Sequence, residues 1–172
     1  MAIYRLGDLV PSVHPDAYVH PQAAVIGAVT IGPGSSIWPC AVLRGDRGTI
    51  TVGERTSIQD GTVVHCGPGF PTLIGNGCIV GHLAHLEGCR LEDGSLIGSG
   101  SVVLHHAVIG SGATVGANAV VPNRMVVPPG ALAVGVPAVV KEGASHTVII
   151  EFSAADYVDN ARQFKANLER ID

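Results

Sequence analysis

Aliphatic side chains recur at every sixth position along most of the chain, and small or polar residues fill the positions between them. Glycine often follows the aliphatic residue directly, as at Gly32, Gly53 and Gly98. A six-residue period is typical of a parallel β-helix, in which each short strand places one side chain in a narrow interior. The pattern therefore predicts an all-β architecture, a parallel β-helix of hexapeptide repeats. The positions in this register are Val13, Val19, Val25, Ile31, Ile37, Leu43, Val52, Ile58, Val64, Ile74, Val80, Leu86, Leu91, Ile97, Val103, Ile109, Val115, Val121, Val127 and Ala133.

Two insertions interrupt this period. They comprise residues 48–51, shortly after Arg44, and residues 66–73, which are rich in glycine and proline. Insertions in a solenoid commonly extrude as loops on one face, often near a binding site. We therefore expect two loops on one side of the β-helix.

The C-terminal part of the chain follows a different pattern. Residues 146–152 form a largely apolar, β-branched run, which predicts a strand or an extended strap. Ser153 and Asp156 resemble a capping box, and apolar residues then follow at helical spacing as far as Leu168. We expect a β-helix domain over residues 1–140, with residues 141–172 forming a strap and an α-helix that packs on it.

The composition fits one domain with a large apolar interior. Of the 172 residues, 47% are hydrophobic, 14% are charged and only 4% are aromatic. An interior of stacked aliphatic side chains has little room for rings, so the shortage of aromatic residues agrees with the period. The four cysteines lack CxxC spacing and are expected to be reduced thiols, packed as small apolar side chains.

Charge and hydropathy argue against several kinds of partner. The net charge is −4, and the chain has no cluster of Lys or Arg, which argues against nucleic acid or an anionic membrane as a partner. No apolar segment approaches the ~18 residues of a membrane span, and the N-terminus lacks the pattern of a signal peptide. We therefore expect a cytoplasmic protein with no membrane or nucleic-acid partner.

Stacking the repeats brings distant polar residues together. With three hexads per coil, Arg44, His65 and Glu87 each directly follow an aliphatic position and fall in one outward column. Asp60 and His82 each lie two residues after an aliphatic position and form a second column. These columns either flank a single corner of the β-helix or meet across a subunit boundary in a threefold assembly.

The two columns carry side chains suited to a metal centre. His65, His82 and Glu87 can converge on one ion, and two His with one carboxylate form a known catalytic zinc set that leaves a position for water. His85 flanks the same aliphatic position as Glu87 and is an alternative third ligand. For each histidine taken alone, a solvated or hydrogen-bonded side chain is the alternative interpretation.

The other polar side chains have structural interpretations. Arg44 is expected to form an ion pair with Asp60. The remaining histidines are expected at the surface, apart from a pair one coil above the columns that is either exposed or surrounds the site: His14, His20 and His146, and the pair His105 and His106.

Five short motifs occur in an order that is specific. Over residues 10–140 the chain resembles the γ-class carbonic anhydrase family of hexapeptide proteins. The resemblance implies a left-handed β-helix that forms a homotrimer, with three metal sites at the subunit interfaces and the C-terminal helix packed along the outside. The motifs that carry it are Leu43-Arg44-Gly45-Asp46, Ile58-Gln59-Asp60-Gly61, Val64-His65, Val80-Gly81-His82 and Gly88-Cys89.

The resemblance also implies roles for individual residues. His65 and residue 87 would come from one subunit and His82 from its neighbour. A bound Zn²⁺ or Fe²⁺ would carry the hydroxide that attacks carbon dioxide to give bicarbonate, and Gln59 would orient it. Arg44 and Asp60 would form an ion pair between subunits, with Asp46 and Gln59 in the surrounding hydrogen bonds.

One departure from the family pattern concerns the third ligand. Glu87 stands where the usual site has His, and a carboxylate leaves the metal less able to lower the pKa of bound water. The loop of residues 66–72 also contains no acid or base. We therefore expect weak hydration activity, unless His85 takes the third position. The alternatives are a non-catalytic trimeric assembly protein with a vestigial site, or a hexapeptide acyltransferase that needs no metal.

Overall fold

The chain winds into successive coils of three short strands, and one α-helix follows the last coil. The structure, a computed structural model, describes residues 2–172. In chain order the strands are β1 (Ala2–Tyr4), β2 (Ser12–Val13), β3 (Tyr18–Val19), β4 (Ala24–Ile31), β5 (Ser36–Ile37), β6 (Val42–Val52), β7 (Ser57–Ile58), β8 (Val63–His65), β9 (Thr72–Ile74), β10 (Ile79–Val80), β11 (His85–Glu87), β12 (Arg90–Leu91), β13 (Leu96–Ile97), β14 (Val102–Val103), β15 (Val108–Ile109), β16 (Thr114–Val115), β17 (Val120–Val121), β18 (Val126–Val127), β19 (Leu132–Val134) and β20 (Val139–Lys141).

The strands stack in parallel on three faces. The faces are numbered 1 to 3 in the order in which the chain forms them within a coil. The corner between faces 1 and 2 is called corner A, and the corner between faces 2 and 3 is called corner B. Strands β4 and β6 run around corner B, so each belongs to two faces. Face 1 contains β3, β5, β7, β10, β13, β16 and β19; face 2 contains β1, the first parts of β4 and β6, β8, β11, β14 and β17; face 3 contains β2, the last parts of β4 and β6, β9, β12, β15 and β18.

The six-residue register of the sequence is confirmed. Nineteen of its twenty positions are buried, and Val13 at the N-terminal end is half-buried. On face 2, for example, Leu43 pairs with Val64 and Val64 with Leu86. Each buried aliphatic side chain contributes roughly 1.5–3 kcal/mol, so these stacked columns supply most of the driving force for folding.

Glycine follows the aliphatic position because the next coil lies directly against it. A Cβ atom on Gly98 would lie 2.5 Å from the backbone nitrogen of Ala117, and one on Gly81 would lie 2.8 Å from that of Ser99. Such separations are too short for any side chain. At Gly81 and Gly98 the coils can therefore stack at strand spacing only because these residues have no side chain.

Only one of the two insertions forms a loop. Residues 66–71 do so, closed by an antiparallel bridge between Gly67 and Phe70. The expectation of a loop at residues 48–51 is wrong, because β6 continues through this segment and stays paired with β4 on both sides of it. The extra residues form a bulge at corner B, between the pairs Gly27–Gly45 and Val29–Ile50.

A single helix, α1 (Thr147–Asn167), lies along face 1. The predicted strand or strap over residues 146–152 is wrong, and Ser153 lies inside the helix, which makes the predicted capping box wrong too. Local β-branched propensity is overridden by burial: Ile150, Ala154 and Val158 lie on one helical stripe and are buried. The helix predicted to follow Ser153 is confirmed as far as Asn167.

The aromatic side chains lie outside the β-helix interior. Tyr18 and Trp38 project from face 1 and meet Tyr157 and Phe164 of α1 in edge-to-face contacts, with ring centroids 5.1 to 6.2 Å apart. These aromatic contacts therefore stabilise the packing of α1 against face 1. No helix in residues 2–172 combines the length and apolar character needed to cross a bilayer.

The cysteines are free thiols, as expected, and three of the four are buried. Burial raises the pKa of Cys89 to about 12 and also raises the pKa of Cys78. These side chains stay protonated at neutral pH and pack as small apolar groups. Cys40 is exposed.

The chain closes the C-terminal end of its own solenoid. Strand β20 turns back and pairs antiparallel with β19, the last strand of face 1. At the end of face 2, the Val120 N–H donates to the Gly135 carbonyl at 3.0 Å, and the Ala138 N–H donates to the Val120 carbonyl at 2.8 Å. The last strands of faces 1 and 2 are thus covered by the chain itself.

The stacking columns make a prediction for stability. Leu86→Ala removes a fully buried side chain from the middle of face 2 and is expected to lower the free energy of unfolding by about 2–5 kcal/mol. Ser99→Ala, at an exposed corner, should change it by less than about 0.5 kcal/mol. Denaturant unfolding of both variants at one protein concentration measures the difference. Equal effects would contradict the register.

Candidate metal centre

The predicted column of Arg44, His65 and Glu87 lies at the corner B edge of face 2. In the strand pairing, Arg44 is the neighbour of His65, and His65 is the neighbour of Glu87. Each residue directly follows a buried aliphatic residue, so the alternation along the strand turns all three side chains outward. The register alone brings these distant parts of the sequence together.

His65 lies between two carboxylates. Its Nδ1 is 3.1 Å from Glu87 Oε1, and its Nε2 is 2.9 Å from Asp46 Oδ1. Arg44 forms an ion pair with the other carboxylate oxygen of Asp46, Oδ2. The His65 side chain is only 16% exposed, so most of its polar contacts come from these carboxylates rather than from water.

The carboxylate of Glu87 contacts three imidazoles. Besides His65, its Oε2 is 3.3 Å from His85 Nε2 and its Oε1 is 3.4 Å from His105 Nε2. Burial opposes ionisation, but hydrogen bonds with His65, His85 and His105 outweigh it and lower the pKa of Glu87. The carboxylate is therefore ionised at neutral pH and surrounded by ring nitrogens.

Asp46 has a similar balance of effects. Burial again opposes ionisation, but the hydrogen bond with His65 and the positive charge of Arg44 lower the pKa of this carboxyl group. His65 thus has an ionised carboxylate at each ring nitrogen. The imidazole therefore has negative charge on both sides of its ring.

Thr72, which the sequence did not single out, connects the backbones of this group. Its hydroxyl donates to the His65 carbonyl and accepts from the Gly88 N–H at 2.8 Å. Thr72 is fully buried and begins β9, directly after the loop of residues 66–71. A threonine at the end of a Gly- and Pro-rich loop gives no sequence signal of this role, because the role depends on how the loop closes.

Asp60 and His82 lie together at corner A. His82 Nδ1 is 2.9 Å from Asp60 Oδ2, and about half of each side chain is exposed. Because the carboxylate only accepts, His82 carries its proton on Nδ1, which leaves the Nε2 lone pair available to a metal. Gln59 occupies the same corner and is buried at 4% exposure.

The two columns therefore lie at opposite edges of face 2. The interpretation that they flank a single corner is wrong, because His82 lies before β11 and Glu87 is the last residue of that strand. Within the chain Arg44 pairs with Asp46 and Asp60 pairs with His82, so the Arg44–Asp60 pair does not form in one chain. Among residues 2–172 no three side chains of His, Cys, Asp or Glu are placed to hold a metal ion.

Other histidines differ in their relation to this site. His14 and His20 lie near the N-terminal end, each accepting from a backbone N–H two residues on. His105 and His106 lie at corner B in the next coil, and the ring of Phe70 contacts both, with centroids 5.2 Å apart. Of this pair only His105 reaches Glu87.

Comparison with known proteins shows which class of repeat protein the chain belongs to. The family model described as "Bacterial transferase hexapeptide (six repeats)" matches residues 11–45 and 88–123. The solved structure of a hexapeptide transferase family protein from Anaplasma phagocytophilum superposes with a TM-score of 0.91 and 34% identity, covering 95% of this chain and 98% of that one. The chain is a hexapeptide-repeat protein.

Curated relatives narrow the family. A "Probable carbonic anhydrase" of Methanocaldococcus jannaschii is 50% identical over 121 residues, covering 70% of this chain and 76% of the relative. "Gamma carbonic anhydrase 2, mitochondrial" of Arabidopsis thaliana is 41% identical over 163 residues, covering 90% of this chain but only 59% of the relative. The chain belongs to the γ-class carbonic anhydrase family of hexapeptide-repeat proteins.

The same family includes relatives with other names. "Carnitine operon protein CaiE" of Citrobacter koseri is 36% identical over 170 residues, covering 98% of this chain and 86% of the relative. The chain spans about three-fifths of the length of the Arabidopsis relative. Since that relative is named as mitochondrial, the cytoplasmic location expected from the sequence stays a prediction.

The bridging role of Thr72 can be tested by its effect on stability. Thr72→Val removes the hydroxyl and leaves the Gly88 N–H and the His65 carbonyl without this partner, which should cost about 1–3 kcal/mol of unfolding free energy. Thr51→Val, at an exposed position of β6, is the matched control and should have little effect. Denaturant unfolding measures both. A Thr72→Val variant as stable as the wild type would contradict the bridge.

Proposed function

We propose that the chain is a γ-carbonic anhydrase-like metalloprotein that reversibly hydrates carbon dioxide to bicarbonate, with weak activity. One Zn²⁺ or Fe²⁺ would be shared between neighbouring subunits of a homotrimer. The observation that carries the proposal is that His65 and Glu87 lie in contact at one edge of face 2, whereas His82 lies at the opposite edge. A centre that uses all three side chains therefore needs a second copy of the chain.

The donor set fits a divalent metal ion. Two tetrahedral ligands that bind one zinc ion at 2.0–2.2 Å lie roughly 3.3–3.6 Å from each other. His65 Nδ1 and Glu87 Oε1, at 3.1 Å, need to move apart by only a few tenths of an ångström to reach roughly this separation. His82 from a second chain would complete a set of two His and one carboxylate. The same set with open positions is also typical of Fe²⁺ sites, so the donor set is compatible with both ions.

The contacts of this chain indicate what each residue would do. A bound metal ion would supply a Lewis acid that lowers the pKa of water toward neutrality, which carbon dioxide hydration requires. Asp60 would hold the His82 ring through Nδ1, and Asp46 would hold the His65 ring through Nε2. Glu87 adds negative charge where the usual site has a neutral imidazole, which supports weak activity.

Arg44 and Gln59 are assigned roles by the family resemblance. Arg44 balances the charge of Asp46 within the chain, and its guanidinium is partly exposed, so it remains accessible to Asp60 of a neighbouring subunit. Gln59 would orient the reacting water from its buried position at corner A. Both assignments are part of the proposal.

The surface of face 2 supports the trimer. The outward positions that directly precede its buried aliphatic residues are apolar on either side of His85. None of them is covered by α1, which lies on face 1. Parallel pairing aligns these positions in one stripe, which is typical of a surface that binds another protein. The stripe runs between corners A and B, so a neighbour that covers it also reaches both halves of the site. Its residues are Ala24, Val42, Val63, Val102 and Val120.

A second candidate function is a non-catalytic trimeric assembly protein with a vestigial site. One observation favours it: both ring nitrogens of His65 contact carboxylates within the chain. Such a closed network gives both ring nitrogens a hydrogen-bonding partner without a metal ion. An acyltransferase is a third candidate, since the transferase structure shares the fold; it would need acetyl-CoA and no metal.

Metal content and activity of point variants separate these functions. We expect stoichiometric metal in the purified wild-type protein, and loss of it in His65→Ala and in His82→Ala, because each removes a ligand. Glu87→His should bind metal and raise the hydration rate by roughly tenfold or more, since it removes a negative charge from the site. Elemental analysis and a stopped-flow carbon dioxide assay measure the two quantities.

The other outcomes also decide between the candidates. Metal retained in Glu87→Gln but lost in His85→Ala would show that His85 is the third ligand. Bound metal without hydration above the buffer rate at any pH would favour the assembly protein. Metal-independent transfer from acetyl-CoA would establish the acyltransferase and overturn the proposal.

Mixing two inactive variants tests whether the centre is shared. His65→Ala and His82→Ala subunits, unfolded and refolded together, should form mixed trimers in which some interfaces contain an intact His65 and Glu87 from one chain and an intact His82 from the other. Random mixing of equal amounts should restore about a quarter of the wild-type metal sites. The two variants refolded separately are the control. No recovery in mixed trimers would contradict an interfacial centre.

A further inference from the structure

Glu87 has more imidazole neighbours than a ligand set of two His and one carboxylate requires. Only His65 among them belongs to the proposed set, yet His85 Nε2 lies 3.3 Å from Oε2 and His105 Nε2 lies 3.4 Å from Oε1. We propose that His85 and His105 are positioning residues that hold the carboxylate of Glu87 in place to bind the metal. This inference rests on the proposed function and deepens it.

The two histidines reach Glu87 from different parts of the fold. His85 lies two residues before Glu87 on β11, so both side chains point to the same side of the strand. His105 comes from the next coil, at corner B. The carboxylate is therefore held from its own strand and from the coil above, and its two oxygens have separate donors.

The position of His105 is built into corner B. Its ring lies over Gly88, where an added Cβ would come within 3.1 Å of His105 Cδ2. Behind it, the His106 N–H donates to the Gly88 carbonyl at 2.7 Å, and the Phe70 ring packs against His105. The imidazole therefore cannot turn freely, and its side chain is one-third exposed.

A glutamate ligand needs such support more than a histidine does. Its side chain has one more rotatable bond than that of histidine, and ordering it costs conformational entropy at the moment of binding. Groups that hydrogen-bond to ligating carboxylates offset this cost, and their loss typically weakens metal affinity by about 10- to 100-fold. For this role each imidazole donates from Nε2–H.

The test measures the Zn²⁺ affinity of the full chain by competition with a chelating dye. His105→Ala should bind Zn²⁺ about 10- to 100-fold more weakly than the wild type. His105→Gln, whose amide nitrogen can donate from nearly the same place, should restore most of that loss. The same pair of substitutions at His85 should behave alike. His106→Gln, at the neighbouring position that does not reach Glu87, is the matched control and should leave the affinity unchanged.

A second readout checks that the ligand set stays the same. Co²⁺ replaces Zn²⁺ in this experiment. The visible absorption spectrum of His105→Ala saturated with Co²⁺ should match that of the wild type, because loss of a positioning residue leaves the metal-binding side chains unchanged. Circular dichroism confirms that each variant is folded before its affinity is compared.

The outcomes distinguish failure of this inference from failure of the proposed function. Wild-type protein that binds neither Zn²⁺ nor Co²⁺ would overturn both. Wild-type binding with equal affinity in His105→Ala and His85→Ala would overturn the positioning role alone. Complete loss of metal in the Ala and Gln variants of either residue, or a changed Co²⁺ spectrum, would show a direct ligand and would also overturn it.

Discussion

The parallel register between coils is the constraint on which the rest of the structure depends. Each coil hydrogen-bonds to the next along three faces, and each face contributes one aliphatic side chain to the interior. Because side chains alternate along a strand, a shift of one residue would bury polar groups and expose the core. The same pairing that stacks Leu86 on Val64 also places Glu87 beside His65. Folding of the coils therefore also brings together the part of the site that one chain supplies, His65 and Glu87.

The register could be predicted from the sequence because its signal is repeated in every coil. The contact of His65 with Glu87 and that of Asp60 with His82 followed from counting hexads, and both are present. The partner of Arg44 did not follow, because Asp46 lies where the bulge of β6 begins, and a bulge depends on how two strands accommodate unequal lengths. Counting repeats predicts which residues stack in successive coils, but it does not predict the path of an insertion.

Other differences come from interactions between distant parts of the chain. The segment before Ser153 has strand propensity, yet it forms the first turns of α1, and Ile150 is its buried residue. The role of Thr72 depends on how the loop closes, and the predicted position of His105 near the site becomes a contact with Glu87 only through the next coil. The expected Arg44–Asp60 pair remains a prediction for the assembled protein. Residues whose roles depend on loop closure or on a second chain leave little trace in a single sequence.

The way in which the chain ends its solenoid has a consequence for its behaviour at high concentration. A stack of parallel coils is in principle a template, since each exposed backbone edge can recruit another strand. Here β20 runs in the opposite direction along the last strand of face 1, and residues 135–138 cover Val120. End-to-end stacking of molecules is thereby disfavoured at this end. A fibre of unlimited length is therefore not expected, although parallel coils could in principle stack without limit.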